Sequence, residues 1–388
     1  MAESRPTPAA PPLLKRLNEQ TVLGLVRDLA PVSRAEISRR AGISKPTVSL
    51  ALRSLVESGL VRESAEAPSG PSYGAVYFEP VPEAALVLGL DLGARFLRGA
   101  ICDLTGTIRS RQDVELRGAD AERALAAVDE LRDALVSATG LPGELIDGVV
   151  VGVPGVTGAA DGTLQLAANV PGLEGRPFEA ELKARLGLPI TLQNDINLAA
   201  LGERELGVAR GVDDFVFLSV GTGMGAGIVL RGELHTGRHG FAGEIDFALD
   251  ALDEDVDPSA PQVSEIAVGL TQGTETSLRA PFDARSVFDA ARQGDEAARL
   301  VVEEVARRIA LHLAPVAAVV DVELVVLGGG IGSNGDLLLE PVRELLVRWL
   351  PFPPQVEVST VGDAAVLTGA LAVGVRAALE NVARREMA

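Results

Sequence analysis

The stretch SRAEISRRAGISKPTVSLALRSLVESGLV, which begins at Ser33, constrains local structure more than any other part of the chain. Ser33 is followed three residues later by Glu36, which is the capping-box spacing of a helix N-terminus. Gly42 is a turn residue of the kind that joins two helices at a steep angle. Ser44 and Pro46 then open another helix, because proline in a first turn sacrifices no hydrogen bond.

The second of these helices has two chemically different sides. Val48, Ala51, Leu52 and Leu55 share one face and are predicted to pack inward. Short hydroxyls and a lysine near the N-terminus of the other face suit base edges and phosphates in a major groove. Arginines on the preceding helix suit backbone phosphates. The predicted DNA-binding residues are Arg34, Arg39, Arg40, Ser44, Lys45, Thr47, Ser49 and Arg53.

A helix predicted over residues 13–29 and two β-like runs complete this unit. The runs are LVRES and AVYFEP, which flank the loop APSGPSYG. Three helices followed by a hairpin are typical of a winged helix-turn-helix. The alternative is a small helical interaction domain with surface arginines. The combined signals favour binding of double-stranded operator DNA.

Charge separates the N-terminal unit from the rest of the chain. The whole chain carries a net charge of −19, yet residues 1–80 carry +2 and the remainder −21. DNA phosphates repel an acidic body, so only the N-terminal unit is expected to approach DNA.

The remaining composition excludes several classes of protein. The single cysteine, Cys102, rules out an internal disulfide framework and a cysteine-based zinc site within one chain. The N-terminal residues lack the apolar run of a signal peptide. The most apolar region, IALHLAPVAAVVDVELVVL, is interrupted by polar residues and proline, so a membrane span is not expected. These features predict a cytoplasmic protein.

The predicted fold class is α/β, with an N-terminal winged helix-turn-helix domain followed by a two-lobed fold. Strands and helices alternate from about Ala84, the pattern of an α/β architecture. The predicted divisions are a disordered tail (1–12), the DNA-binding domain (13–80), a first lobe (84–198 plus 363–388) and a second lobe (199–362).

Two glycine-rich segments have the chemistry of a phosphate cradle. Gly221, Gly223 and Gly225 lie between two predicted strands, where backbone N–H groups can approach an anion. The pattern is neither a P-loop nor a dinucleotide fingerprint, because it lacks the GK[ST] ending and no helix follows. The run 328–332 lies between a strand and a helix, a position that favours an anion or nucleotide.

Asp195 ends an apolar strand beside Asn194 and is a candidate general base. A carboxylate there could accept the proton of a sugar hydroxyl that attacks a phosphoryl group. The alternative is that Asp195 only caps the following helix. Spacing alone leaves these two interpretations even.

Together these motifs resemble the ROK family, which joins sugar kinases and sugar-responsive repressors on an actin-like ATPase fold. The resemblance covers residues from about 15 to the C-terminus and rests on the motifs GLDLGARFLRGAICDLTG, QNDINLAALGE and SVGTGMGAGIVLRGELHTGRHGFAGEI. It implies sugar binding by Asn169, Asn194, Asp195, Glu244 and Glu265. His239 lies close to the position of a family histidine that is missing here, and it could offer an imidazole to the sugar. It also implies phosphate or nucleotide binding by Asp91, Gly93, Gly221, Thr222, Gly223, Gly225, Gly328, Gly329 and Gly330.

The chain departs from the family pattern at two places. Ala94, Arg95 and Phe96 replace the Gly-Thr-Lys that follows the first phosphate-loop glycine. Phe247 replaces a zinc-binding histidine, and the cysteines that follow in the family are missing. The resemblance therefore implies no structural zinc and no bound metal.

Two functions follow from the resemblance. The first is a transcriptional regulator, most often a repressor, that binds operator DNA as a homodimer or homotetramer and responds to a sugar or sugar-phosphate. The second is an active sugar kinase, which would need ATP and Mg²⁺, carrying a DNA-binding head. A third interpretation is a DNA-bound scaffold without a ligand. The altered first loop favours the regulator, for which no cofactor is required.

Overall fold

The computed structural model describes residues 11–65, 75–116, 120–157, 163–167, 170–249, 256–271 and 275–385. Residues 1–10 of the predicted tail lie outside these ranges, whereas Pro11 already belongs to a helix. The helices are α1 (Pro11–Leu29), α2 (Arg34–Ala41), α3 (Lys45–Glu57), α4 (Ala121–Thr139), α5 (Phe178–Leu186), α6 (Asp195–Leu206), α7 (Asp246–Leu249), α8 (Ala260–Thr271), α9 (Ala284–Arg292), α10 (Glu296–Val320), α11 (Gly329–Gly332), α12 (Gly335–Trp349) and α13 (Ala365–Arg385).

Within the ranges given above, the strands form four sheets. They are β1 (Val32–Ser33), β2 (Val61–Glu63), β3 (Tyr77–Pro80), β4 (Leu86–Leu92), β5 (Phe96–Asp103), β6 (Ile108–Glu115), β7 (Ile146–Val153), β8 (Val156–Thr157), β9 (Leu164–Gln165), β10 (Ile190–Asn194), β11 (Phe215–Val220), β12 (Met224–Leu230), β13 (Glu233–Leu234), β14 (Leu324–Gly328) and β15 (Gln355–Val358).

The N-terminal head consists of α1–α3 and a small sheet in the order β1-β3-β2. The Ser33 hydroxyl accepts a hydrogen bond from the Glu36 N–H at 3.3 Å, and Gly42 ends α2 at a φ of 66°. The Ser44 hydroxyl caps α3 by accepting from the Thr47 N–H at 3.4 Å. These contacts confirm the predicted helix boundaries. The hairpin β2–β3 confirms the predicted wing strands, while the two-residue strand β1 was not predicted.

Two five-stranded sheets follow the head, and both have the same connectivity. In the first, of order β10-β7-β4-β5-β6, β4 pairs antiparallel with β5 and parallel with β7. In the second, of order β13-β12-β11-β14-β15, β11 pairs antiparallel with β12 and parallel with β14. This repeated pattern confirms the predicted two-lobed α/β fold. It also brings the carboxyl ends of the parallel strands to one edge of each sheet.

Helices α6 and α13 pack against each other with their backbones in contact. A Cβ atom at Gly369 would lie 1.9 Å from the Leu198 carbonyl oxygen, and one at Gly202 would lie 2.1 Å from that of Ala365. Only glycine permits this approach. The predicted lobe boundary between residues 198 and 199 falls inside α6. We propose that α6 is shared, because Leu198 packs toward the first sheet and Ala200 toward the second.

The core of the head continues into the first lobe. Leu23 and Leu52 of the head belong to the same buried cluster as Val87 of β4 and Leu371 of α13. Within the described residues, the segment Gly362–Asn381 is long and apolar enough to cross a membrane. Most of it is α13, which packs against α1, α6 and the first sheet.

Candidate functional site

A cleft of about 1080 Å³ lies where the carboxyl ends of the two sheets meet. The first sheet contributes Gly155 after β7, together with Asn194 and Asp195 where β10 leads into α6. The second contributes the β11–β12 turn at Gly221 and the start of α11 at Gly330. The carboxyl ends of parallel strands are the usual place for a ligand in an α/β fold.

Asn194 is the residue that caps α6. Its side-chain oxygen accepts a hydrogen bond from the Asn197 N–H at 3.0 Å, and its side-chain nitrogen donates to the Gly155 carbonyl at 3.0 Å. Asp195 is the first residue of the helix itself. The alternative that Asp195 acts as the helix cap is therefore wrong, and its carboxylate faces the cleft.

Asp195 lies among other acidic side chains. Burial, with Asp91 and Glu244 nearby, raises the pKa of Asp195 to about 7, although the Ile196 N–H opposes this by donating to its Oδ1 at 2.8 Å. Burial and then Asp246 raise the pKa of Glu244. With this pKa the Asp195 carboxyl can accept or donate a hydrogen bond at neutral pH, so it can match a hydroxyl of a sugar.

Asp91 is held by an arginine that sequence reasoning did not single out. Asp91 is 4% exposed, and its Oδ2 lies 3.0 Å from Nη1 of Arg98. Burial raises the pKa of Asp91, while Arg98 lowers it. The two residues face each other in the β4–β5 ladder, and Arg98 lines the cleft. A correct antiparallel register for β4 and β5 would have predicted this pair.

The glycine loops offer a backbone cradle for phosphates. Gly221, Thr222, Gly223 and Gly330 line the cleft, and a Cβ at Gly221 would lie 3.5 Å from the Gly330 nitrogen. Glycines at these positions let an anion approach the backbone closely, although the Gly221 N–H itself already donates to the Gly223 carbonyl at 2.9 Å. Asp91 is not among the residues that line the cleft, and its carboxylate is paired with Arg98 at 3.0 Å, so it is not available to hold a Mg²⁺ ion there.

Three predicted phosphate-binding glycines are packing residues outside the cleft lining. A Cβ at Gly225 would lie 2.6 Å from Cδ1 of Ile196. A Cβ at Gly328 would lie 2.3 Å from the Phe217 ring, and one at Gly329 2.4 Å from the Val220 carbonyl oxygen. These glycines are needed for close packing, a role that the sequence did not predict for them, and their phosphate contacts stay a prediction.

Other predicted site residues also lie away from the cleft surface. Gly93 is not among the lining residues, and its N–H donates to the Phe96 carbonyl at 2.9 Å. His239 and Glu265 are exposed and do not line the cleft, and their sugar contacts stay a prediction. Asn169 lies outside the described residues.

The cleft contains further residues that were not predicted to bind ligand. Phe247 lines it and packs on Phe241, with ring centroids 5.4 Å apart. Leu166 lines it with a φ of 58°, a backbone conformation that non-glycine residues rarely adopt. No cluster of three or more His, Cys, Asp or Glu suited to a metal occurs within the part of the chain that the structure describes.

The surface of the head presents cations and internally bonded hydroxyls. Glu36 Oε2 accepts from Arg39 Nε at 3.0 Å, and its Oε1 accepts from Arg40 Nε at 3.0 Å. The Ser49 hydroxyl donates to the Lys45 carbonyl at 2.8 Å, and the hydroxyls of Ser44 and Thr47 lie 2.8 Å apart. Arg34, Lys45 and Arg53 are exposed. The predicted DNA-binding residues are therefore exposed or half-buried on α2, on α3 and at the turn between them, and Glu36 already pairs with two of them.

A winged-helix head on a two-lobed body with an acidic interlobe cleft defines a class of protein, the DNA-binding regulator built on a sugar-kinase-like fold. The chain belongs to the ROK family, whose model matches residues 87–253 and 263–377. The MarR family model matches residues 17–69, which covers most of the head.

Individual relatives include both repressors and kinases. The chain is 27% identical over 384 residues to the xylose repressor of Caldicellulosiruptor bescii, covering 93% of this chain and 96% of the repressor. It is 31% identical over 232 residues to the glucokinase of Thermotoga maritima, covering 54% of this chain and 71% of the glucokinase.

Solved structures agree with this assignment. The crystal structure of a ROK family transcriptional regulator, a homologue of the Escherichia coli MLC protein, shares the fold with a TM-score of 0.80 at 21% identity, covering 96% of this chain and 98% of that one. A ROK family glucokinase from Streptomyces griseus, solved with glucose and AMPPNP, has a TM-score of 0.58 at 26% identity, covering 74% of this chain and 99% of that one.

Proposed function

We propose that the chain is a transcriptional repressor whose affinity for operator DNA is controlled by a sugar bound in the interlobe cleft. The observation that carries this proposal is the pairing of Asp91 with Arg98, at 3.0 Å, beside an intact acidic pocket at Asp195 and Glu244. The pocket keeps groups that bind hydroxyls, while Asp91 in the predicted first phosphate loop is already paired with Arg98. Binding without phosphoryl transfer suits a sensor.

The effector is an uncharged sugar and not a sugar-phosphate. Asp195, Glu244 and Asp246 all line the cleft and lie close enough to interact electrostatically, and in their ionised forms they would repel a phosphate dianion. Arg98 offers little compensation because Asp91 pairs with it. Arg292 also lines the cleft, but its guanidinium donates to both carboxylate oxygens of Asp336 at 2.7 and 2.9 Å.

Control of DNA binding requires that the sugar bind two conformations of the protein with different affinities. Closure of the two lobes around the sugar would move α6, and with it α13, which packs on α1 of the head. Two heads would occupy the half-sites of a pseudo-palindrome, so the repressor acts as a homodimer or homotetramer in the cytoplasm.

A sugar kinase that carries a DNA-binding head is the second candidate function. The backbone cradle at Gly221 and Gly330 favours it, and the chain resembles glucokinases in sequence. Release of ADP from MgATP, measured by a coupled assay with a panel of aldoses, tests this candidate directly. ADP release above the sugar-free rate would establish a kinase.

Isothermal titration of the protein with aldoses, and with the corresponding sugar-phosphates, tests the repressor proposal at its ligand site. One or more neutral sugars should bind, and Glu244→Gln should weaken that binding about 10- to 100-fold, the cost of losing one hydrogen bond to a charged group. Glu340→Gln, an exposed carboxylate on α12, is the matched control and should leave the affinity unchanged. Tighter binding of a sugar-phosphate than of its parent sugar would contradict the proposed effector class.

A further inference from the structure

Leu50 is a large apolar side chain on the outward face of α3. Its side chain is 65% exposed. Leu50 lies four residues after Pro46 and three residues before Arg53. These spacings place the three side chains on one stripe of the helix. The opposite face is buried in the core of the head, through Val48 and Leu52 among others. The stripe therefore faces away from the protein.

The chemistry around Leu50 suits a polyanion with an apolar feature. Lys45 and Arg53 are exposed on the same helix, and Arg34 is exposed on α2. The Ser49 hydroxyl, next to Leu50, is already bonded to the Lys45 carbonyl at 2.8 Å. The centre of the stripe is therefore apolar, and the cationic side chains of Lys45 and Arg53 border it.

We propose that Leu50 contacts the C5-methyl group of a thymine in the major groove and so specifies a T·A pair in each half-site. The thymine methyl is the apolar group that a base pair presents in that groove, and side-chain methyl groups recognise it. The flanking cations match the phosphates on either side. This contact rests on DNA binding by the head and adds a specificity-determining residue to it.

A contact between two copies of the chain is the other explanation for an exposed leucine. The bordering Lys45 and Arg53 oppose it, because two identical cationic patches repel each other across a two-fold axis. The two explanations differ in what they predict for a base that lacks a methyl group.

The test uses full-length protein and an operator enriched from random duplexes. Each thymine of the operator is replaced singly by deoxyuridine, which removes only the methyl group. One position in each half-site should lose about fourfold in affinity, as expected for burial of one methyl-sized group. In Leu50→Ala the same replacement should cost nothing further. Leu206→Ala, a leucine 67% exposed on α6, is the control and should keep the full thymine dependence.

A second variant keeps the inference testable if Leu50→Ala binds too weakly. Leu50→Gln should shift enrichment at the same position from thymine to adenine, because glutamine pairs with the adenine edge. Two results would overturn the proposed contact. One is a set of enriched sites in which no thymine methyl loses its effect on affinity in the Leu50 variants. The other is a change in the molar mass of the protein in those variants without a change in base preference. Failure to enrich any sequence would overturn DNA binding itself.

Discussion

Replacement of Asp195 by asparagine should make the protein's stability less dependent on pH. Asparagine keeps the shape of the side chain and can still accept the Ile196 N–H, but it carries no proton to lose. The ordinary pKa of the aspartate is 3.8, and burial beside Asp91 and Glu244 raises it to about 7. The folded protein therefore retains the proton at pH values where the unfolded chain has lost it.

The direction and size of the effect follow from this difference. Between pH 4 and 7 the folded state binds more protons than the unfolded state, so the free energy of unfolding of the wild type falls as pH rises. About three pKa units correspond to at most about 4 kcal/mol, which is fully expressed above pH 7. Asp195→Asn removes this penalty and should raise Tm relative to wild type by up to about 5 °C at pH 8.

Scanning calorimetry of both proteins from pH 4 to 8 measures the effect. The control is Asp295→Asn. Burial tends to raise the pKa of Asp295, but hydrogen bonds from Ala298, Ser277 and Thr276 outweigh it and hold the pKa well below its ordinary value. This depressed pKa stabilises the fold above pH 4 by a constant amount, so the control should run parallel to wild type. Parallel curves for Asp195→Asn would refute the burial of this carboxyl among acidic neighbours.

Four other substitutions test three separate parts of the account. Arg98→Ala should destabilise the protein by about 3 kcal/mol and introduce a Mg²⁺-dependent rise in Tm, because it leaves the Asp91 carboxylate without its cation. Absence of both effects would show that Arg98 does not take the place of a metal ion beside Asp91. Gly369→Ala should lower the free energy of unfolding in urea by at least about 3 kcal/mol, because its Cβ would lie 1.9 Å from the Leu198 carbonyl oxygen. Gly24→Ala is the control and should raise the free energy of unfolding by about 0.5–1 kcal/mol, because the space around Gly24 in α1 is open. Glu36→Gln should release Arg39 and Arg40 from their ion pairs and so strengthen DNA binding. The salt dependence of the affinity for DNA should steepen by about one to two phosphate contacts. An unchanged salt slope would exclude these arginines from the phosphate contacts.

Local signals in the sequence were sufficient for the head. The spacing of Ser33 and Glu36, the left-handed Gly42 and the cap at Ser44 depend on contacts within four residues, and each lies where it was predicted. Strand β1 was missed because a two-residue strand has no periodicity of its own, and it forms only by pairing with Tyr77 and Phe78.

The sequence predicted those site residues that belong to short, continuous motifs. Asn194 and Asp195 were identified together, but their division into helix cap and cleft carboxylate depends on Gly155 and Asn197. The roles of the glycines were assigned less well, because a glycine that approaches a phosphate and one that approaches another helix look alike in sequence. Gly225 faces Ile196 across 29 positions of chain, a contact that only the tertiary structure reveals.

The measurement that tests the central claim most directly is fluorescence anisotropy of the enriched operator duplex, titrated with the protein in the presence of neutral sugars. A sugar that binds the cleft should shift the Kd for DNA at constant salt, and the shift should disappear in Asp195→Ala while DNA binding persists. If no sugar that binds the protein shifts the Kd, or if Asp195→Ala responds as wild type does, the cleft does not control the head.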